Sequence, residues 1–316
     1  MPVFNPGRCL PAALASIIGQ TFTDFELLVI DDGSTDGSTR ILESFARREP
    51  RLRLITRQNL GVIASRNQLL QIARGELIAW MDADDISLPD RLAKQVTVFS
   101  ADPTLVCLGT AVRCIDPKGR DLCLEQYHTS HEEIVAAQHA AGGGIRFATT
   151  MMRRHVANAI GGFREPFKIG EDLDFLMRLG EAGRLANLRD VLYLYRQNVS
   201  SVCYTLGPYW RTYRDLILEL ARQRQSYGRD QLQAGIPLSI PAPPPGNRGL
   251  SRHLVYAQWS RQALANQDWL LAAKYSCAAV LNNPLQAQGW KTAARVAFSM
   301  ASSLCGRYSP KGSGIR

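Results

Sequence analysis

Two periods of apolar residues run through the first 125 positions. Pro11 to Gly19 carries apolar side chains at 14, 17 and 18, the spacing of one helical face. Phe25 to Ile30 is a nearly unbroken apolar run, which predicts a strand. The Gly and Asx residues of Asp31 to Ser38 then force a turn, with Asp36 or Ser38 placed to cap a helix through Phe45. Leu52 to Thr56 predicts a third strand, Asn59 to Val62 a turn, and Ala64 to Ala73 a helix. A short apolar run from Glu76 to Trp80 then stops in Met81-Asp82-Ala83-Asp84-Asp85. Strands alternating with helices of this length predict βαβ units on a parallel sheet, whose ligands bind at the carboxyl ends of the strands. Asp31-Asp32 and Asp82 to Asp85 both fall at such ends.

Further along, the pattern predicts a helix through Phe99, a strand near Val106 to Val112 and a turn at Asp116 to Gly119. Residues 125 to 141 read as a polar helix carrying His128, His131 and His139; without acid or Cys partners at ligand spacing, these read as a solvated face. Gly142 to Gly144 reads as a hinge or a turn, and Phe147 to Met152 as a strand. Asp172 to Glu181 has apolar residues at 173, 176, 177 and 179, so Glu171-Asp172 falls at a helix N-terminus, where the dipole favours carboxylate. Tyr209 to Gln225 predicts a basic helix. Beyond it, five prolines in residues 237 to 245 predict a semi-rigid polyproline spacer. His253 to Asn266 and Trp269 to Leu281 predict a helical pair, with Ala272, Ala279 and Pro284 where a tetratricopeptide repeat has small residues and its closing Pro. Residues 285 to 305 predict a third helix, with Lys291, Arg295 and Arg307 as lipid contacts.

The chain has 316 residues, 46% hydrophobic and 21% charged, a composition that excludes disorder and fibre. Seven cysteines, an odd number without a Cys-x-x-Cys pair or a leader, argue against a secreted disulfide framework and for reduced thiols in the cytosol. No apolar run approaches the ~18 residues of a membrane span. The formal charge of +9 is uneven: residues 1 to 200 hold 23 Lys and Arg against 24 Asp and Glu, whereas residues 201 to 316 hold 14 against 4. A front near −1 and a rear near +10 point to a catalytic body attached to something that meets an anionic surface, or to a face charged for solubility.

Three carboxylates within four residues repel one another and raise each other's pKa unless a cation sits among them. Hard divalent ions prefer such oxygen ligands, and Mg²⁺ commonly joins one or two carboxylates to a substrate phosphate. A nucleoside diphosphate is the partner this implies. An isolated Asp-x-Asp is common and describes a solvated loop equally well, so its surroundings decide.

Those surroundings resemble a known family. Pro2-Val3-Phe4-Asn5, Gln20 to Leu27, Ile30-Asp31-Asp32-Gly33-Ser34-Thr35-Asp36, Asn59-Leu60-Gly61 with Arg66-Asn67, and Gly75 to Ile78 leading into Met81 to Asp85 stand in order over about 90 residues. They resemble family 2 of the inverting nucleotide-sugar glycosyltransferases with the GT-A fold. The resemblance implies an α/β class: a Rossmann-like mixed sheet flanked by helices, here with an all-helical C-terminal extension. It implies that Pro2, Phe4 and Asp32 bind the nucleotide, with Asp32 on the uracil or equivalent base, that Asp82 lies near the ribose, and that Asp84 ligates Mn²⁺ or Mg²⁺ bridging the diphosphate. Arg66 reads equally as a further nucleotide contact or as a surface helix residue. Asp172 matches the family's general base, with Glu171 orienting the site, and Arg196 in Tyr193-Leu194-Tyr195-Arg196 is placed to touch diphosphate. The family's first strand normally precedes Pro-Val-Phe-Asn, whereas here Met1 stands where that strand ends, which implies either a start assigned too far downstream, the favoured reading, or a domain that lacks this element.

The expected divisions are a transferase domain over 1–205 with its first strand truncated, a helix over 206–227, a Pro-rich linker over 228–250, a tetratricopeptide-like helical extension over 251–306 and a flexible tail over 307–316. The expected activity is inverting, metal-dependent hexosyl transfer from a nucleoside-diphosphate sugar, a UDP-sugar being favoured. The acceptor is a hydroxyl, free or lipid-linked, in polysaccharide or glycolipid synthesis. Transfer to a polyprenyl phosphate, and a non-catalytic scaffold on a degenerate sugar-nucleotide fold, are the alternatives. The expected location is the cytoplasm, with peripheral contact to an anionic inner membrane face, and nucleic acid is not an expected partner because the basic rear has no recognised binding module.

Overall fold

A computed structural model describes residues 1–141, 143–167, 169–199, 201, 204, 209–240 and 250–306. Gly142, Ser200, Cys203, Arg307 and the prolines from 241 to 245 lie outside the described residues. The chain divides into two compact units, one of residues 1–113, 125–196 and 209–244, the other of 114–124, 197–208 and 245–316.

The first unit opens with three parallel strands, β1 (Pro2–Val3), β2 (Leu27–Asp31) and β3 (Leu52–Thr56), in the order β1-β2-β3. Pro2 is in register with Ile30, and Asp31 with Thr56. Every residue of β2 is buried, which is why its sequence is an apolar run from Leu27 to Ile30, closed by Asp31. Leu27 and Val29 enter one core cluster while Leu28 and Ile30 enter another, as the two-residue period of a strand requires. Helices α1 (Leu10–Ile18), α2 (Ser38–Ala46) and α3 (Val62–Ile72) follow the strands in turn. α1 buries Leu10, Ala13, Leu14 and Ile17; of the face expected at 14, 17 and 18, Ile18 is half-buried.

The acid-tipped strand departs from the parallel βαβ expectation. β4 (Leu77–Ala79) belongs to a second sheet with β5 (Ile86–Ser87), β6 (Leu105–Ile115), β8 (Met151–Arg153) and β9 (Arg184–Arg196), in the order β4-β8-β6-β9-β5. It pairs antiparallel with β8, Ile78 opposite Met152, and the ladder continues where Trp80 N donates to Thr150 O at 2.9 Å. The strand expected over 147 to 152 is therefore divided: Phe147–Thr149 forms a 3₁₀ turn, and only Met151–Arg153 pairs. β7 (Asp121–Glu125) takes the start of the polar segment expected to be helical from 125, so that helix, α5, begins at His131 and runs to Ala141. α4 (Arg91–Ala101), α6 (Arg154–Ala159), α7 (Glu171–Ala182) and α8 (Trp210–Tyr227) are further helices among the described residues of this unit.

The second unit is built on α9 (Arg252–Ala265), α10 (Trp269–Asn282) and α11 (Ala287–Gly306). Asp268 caps α10 by accepting from Leu271 N. Trp259 on α9, 1% exposed, packs edge-on to Tyr275 of α10 and donates from Nε1 to Tyr204 Oη at 3.1 Å. Tyr275 Oη donates to Asp116 at 2.7 Å, and Asp116 also accepts from the backbone of Lys118 and Arg120, holding the turn predicted there.

Candidate active site

The acids after β4 stand on a floor that other elements supply. Tyr193, near the end of β9, is fully buried, and its hydroxyl accepts from Asp82 N at 3.2 Å. The Arg91 guanidinium, also fully buried, lies 5.0 Å from the Tyr193 ring centroid and donates from Nη2 to Trp80 O at 2.8 Å. Asp85, 1% exposed, accepts the backbone N of Arg196 at 2.6 Å, while Arg196 Nε donates to Asp84 O at 2.7 Å. Asp85 is thus a structural acid that ties the loop to β9. Burial, and then the charge of Asp82, push Asp84 up to about 6; burial and the charges of Asp84 and Asp82 push Asp85 well above the usual carboxylate range. A divalent cation relieves this repulsion, and half-buried Asp82 and Asp84 are hard oxygen donors of the kind Mg²⁺ and Mn²⁺ accept. The residues fit such an ion.

At the end of β2, Asp32 is 3% exposed and already has three donors: Arg57 Nε at 2.9 Å, Leu60 N at 3.1 Å and Gly61 N at 2.8 Å. It clamps the 59–61 turn to the sheet edge. Asp31 beside it faces the other way, accepting Ser34 N and the Thr39 hydroxyl at 2.5 Å. Gly33 has φ +82° with Asn59 N 2.9 Å from where a Cβ would stand, so a side chain there collides with the turn as well as straining the backbone. Phe4 and Leu60 are exposed, at 54% and 66%, and Pro2 is half-buried.

Glu171 and Asp172 open α7, where three acids occupy the first turn and Gly170 in the left-handed region is the N-cap. Glu171 Oε1 accepts Arg66 Nη1 of α3 at 2.7 Å. Arg66 is 8% exposed, so it is not a surface residue; its guanidinium lies 4.5 Å from the Phe147 ring and 5.4 Å from that of Phe163. Trp80 packs on the same two rings, each at 5.5 Å. The end of β4, α3 and the start of α7 therefore meet on one aromatic cluster. Burial, then the charge of Asp172, raise the Glu171 carboxyl against the opposing pull of Arg66. Asp172 is half-buried and accepts only Leu173 N, at 2.8 Å, among the described contacts.

Asp174, two residues on, is unavailable for chemistry. It is fully buried and paired with Arg164 and with Arg178, which donates from Nη2 at 2.8 Å. Arg164 continues to Asp230 at 2.7 Å, Asp230 to Arg224 at 2.5 Å and Arg224 to Glu181 at 2.7 Å, fastening α8 behind α7. A Cβ on Gly170 would lie 3.0 Å from Ile217 and 3.1 Å from Trp210, both on α8, so α8 presses directly beneath the residue preceding the acidic pair.

Sequence reasoning missed Arg57, Arg91 and Tyr193. The signal for Arg91 is its place directly after Pro89-Asp90, at a helix start where a cation is out of favour with the dipole and needs another partner. His131 Nδ1 accepts Leu185 N at 3.2 Å, a packing role.

The family profile described as Glycosyl transferase family 2 matches residues 1–161. The Bacillus subtilis protein EpsE is 32% identical over 203 residues, covering 63% of this chain and 72% of its own. Escherichia coli chondroitin synthase is 30% identical over 206 residues, covering 63% of this chain; the chain spans only 29% of that protein's length. Among solved structures, S. aureus TarS 1–349 in complex with UDP-GlcNAc aligns with a TM-score of 0.55 at 19% identity, covering 96% of this chain and 90% of that one. That likeness and the mixed sheet flanked by helices identify the fold as GT-A, and the matched residues place this chain in glycosyl transferase family 2.

Proposed function

We propose that the chain transfers a sugar, with inversion, from a nucleoside-diphosphate donor to an acceptor hydroxyl in polysaccharide or glycolipid synthesis. The observation that carries this reading is the Arg66–Glu171 pair, which ties the acidic start of α7 to the helix following β3, beside the cluster that receives β4. Donor and acceptor acids thereby belong to one framework. Asp32 and the turn it clamps, with the exposed ring of Phe4, receive the base; Asp82 faces the ribose; Asp84 holds Mn²⁺ or Mg²⁺. When bound, that ion neutralises the charge that develops on the diphosphate as the anomeric bond breaks. Asp172, at the start of α7, accepts the acceptor's hydroxyl proton. Glu171, held by Arg66, fixes the orientation of that turn. A UDP-sugar is the favoured donor, in keeping with the UDP-GlcNAc bound by TarS.

The test is a thermal-shift screen of nucleotide sugars with Mn²⁺ present, followed by donor hydrolysis with and without the ion. A ligand that binds only the folded form raises its melting temperature. Equal, metal-independent hydrolysis by wild type and Asp84→Ala would remove the catalytic reading.

A further inference from the structure

α11 presents two faces of different chemistry. Towards its own helical unit it buries Thr292 and Val296, 4% and 2% exposed. Away from it, Trp290 and Phe298 stand 57% and 75% exposed, with exposed Ala294, Ala297 and Ala301 between and beyond them at helical spacing. Lys291 and Arg295, both exposed, follow one border of this apolar strip. From residue 269 to the end the sequence contains six Lys and Arg and no Asp or Glu. No described helix is long and apolar enough to cross a membrane, and the two cations on α11 both lie in its N-terminal half.

We propose that α11 is an interfacial helix that lies on an anionic lipid surface, with the Trp290 and Phe298 rings at the boundary between headgroups and acyl chains and Lys291 and Arg295 at the headgroups. Aromatic anchors beside a basic border are what such a surface selects. Charge complementarity decides the occupant: an acid-free stretch repels a second copy of itself and attracts anionic headgroups. The assignment goes beyond the transfer reading and does not depend on it, since binding is measured without donor or acceptor.

The experiment is sedimentation of the full chain with vesicles of phosphatidylcholine alone or mixed with phosphatidylglycerol. The wild type is expected to pellet with the anionic vesicles, to be released as salt rises, and to remain in solution with the neutral ones. Phe298→Ser and the pair Lys291→Glu/Arg295→Glu should each lower anionic-vesicle binding about tenfold or more without altering the melting temperature, because these side chains are exposed. Lipids spin-labelled along the acyl chain should quench wild-type tryptophan fluorescence more than that of Trp290→Phe. Equal binding to both vesicle types, unchanged binding by the two variants, or loss of self-association in Phe298→Ser without loss of vesicle binding would overturn the proposal.

Discussion

Arg66 Nη1 and Glu171 Oε1 stand 2.7 Å apart although 105 residues of chain separate them. Breaking such a buried pair from one side leaves a charge without its counter-ion and costs ~3–5 kcal/mol. Arg66→Met should therefore lower stability by about 3 kcal/mol in denaturant unfolding, and adding Glu171→Gln should restore part of the loss. Fully additive losses would show that the contact contributes nothing beyond the separate side chains.

Asp172→Asn keeps the shape of the side chain and removes its capacity to take a proton. Turnover should fall by ~10²–10⁴, while the donor's thermal shift stays unchanged. A variant retaining more than about a tenth of wild-type turnover would move the base to Glu171, because Asp174 is committed to Arg164 and Arg178.

Asp84→Ala should abolish the thermal shift produced by Mn²⁺ alone and leave the fold intact, since removing one of three crowded carboxylates relieves repulsion. Calorimetric titration of Mn²⁺ into both proteins reads this directly; equal affinities would place the ion elsewhere.

Gly170→Ala adds a methyl at φ +82°, pressed between Ile217 and Trp210. Strain of this kind costs roughly 1–3 kcal/mol, and it falls on the residue before the acidic pair. The expected result is a modest loss of melting temperature with a larger loss of kcat than of KM; a wild-type kcat would show that the position of α7 tolerates the shift.

Burial alone would raise Asp230, but hydrogen bonds from Arg164, the Gln233 backbone and Arg224 outweigh it and hold the carboxyl below its ordinary value. A depressed acid stabilises the fold above its unfolded pKa of about 3.9, and that stability is lost as pH falls through this value and below. Asp230→Asn should accordingly destabilise the protein at neutral pH and flatten its loss of stability between about pH 5 and pH 2. An unchanged slope in acid unfolding would exclude Asp230 as a contributor.

What the sequence made legible was local. β2 is readable because burial on both faces demands an unbroken apolar run, and Asp82 to Asp85 is readable because crowded acids are costly without a purpose. β9 was not read as a strand: Arg189 and Asp190 interrupt it at exposed positions, and its end is set by what Tyr193 and Arg196 grip on another segment. Sequence alone does not separate a ligand contact from a surface residue at Arg66, because its partner is remote in sequence. The antiparallel pairing of β4 was likewise invisible, since apolar residues fix that a strand is buried and not which neighbour supplies its hydrogen bonds.

The chain of ion pairs from Arg178 through Asp174, Arg164, Asp230 and Arg224 to Glu181 balances three cations with three anions. No member can change sign alone without stranding a neighbour of opposite charge where water cannot compensate it. In descendants of this sequence the six positions should drift as a correlated set, passing through paired replacements or collective loss to apolar residues, while the half-buried Asp172 close by lies outside this constraint.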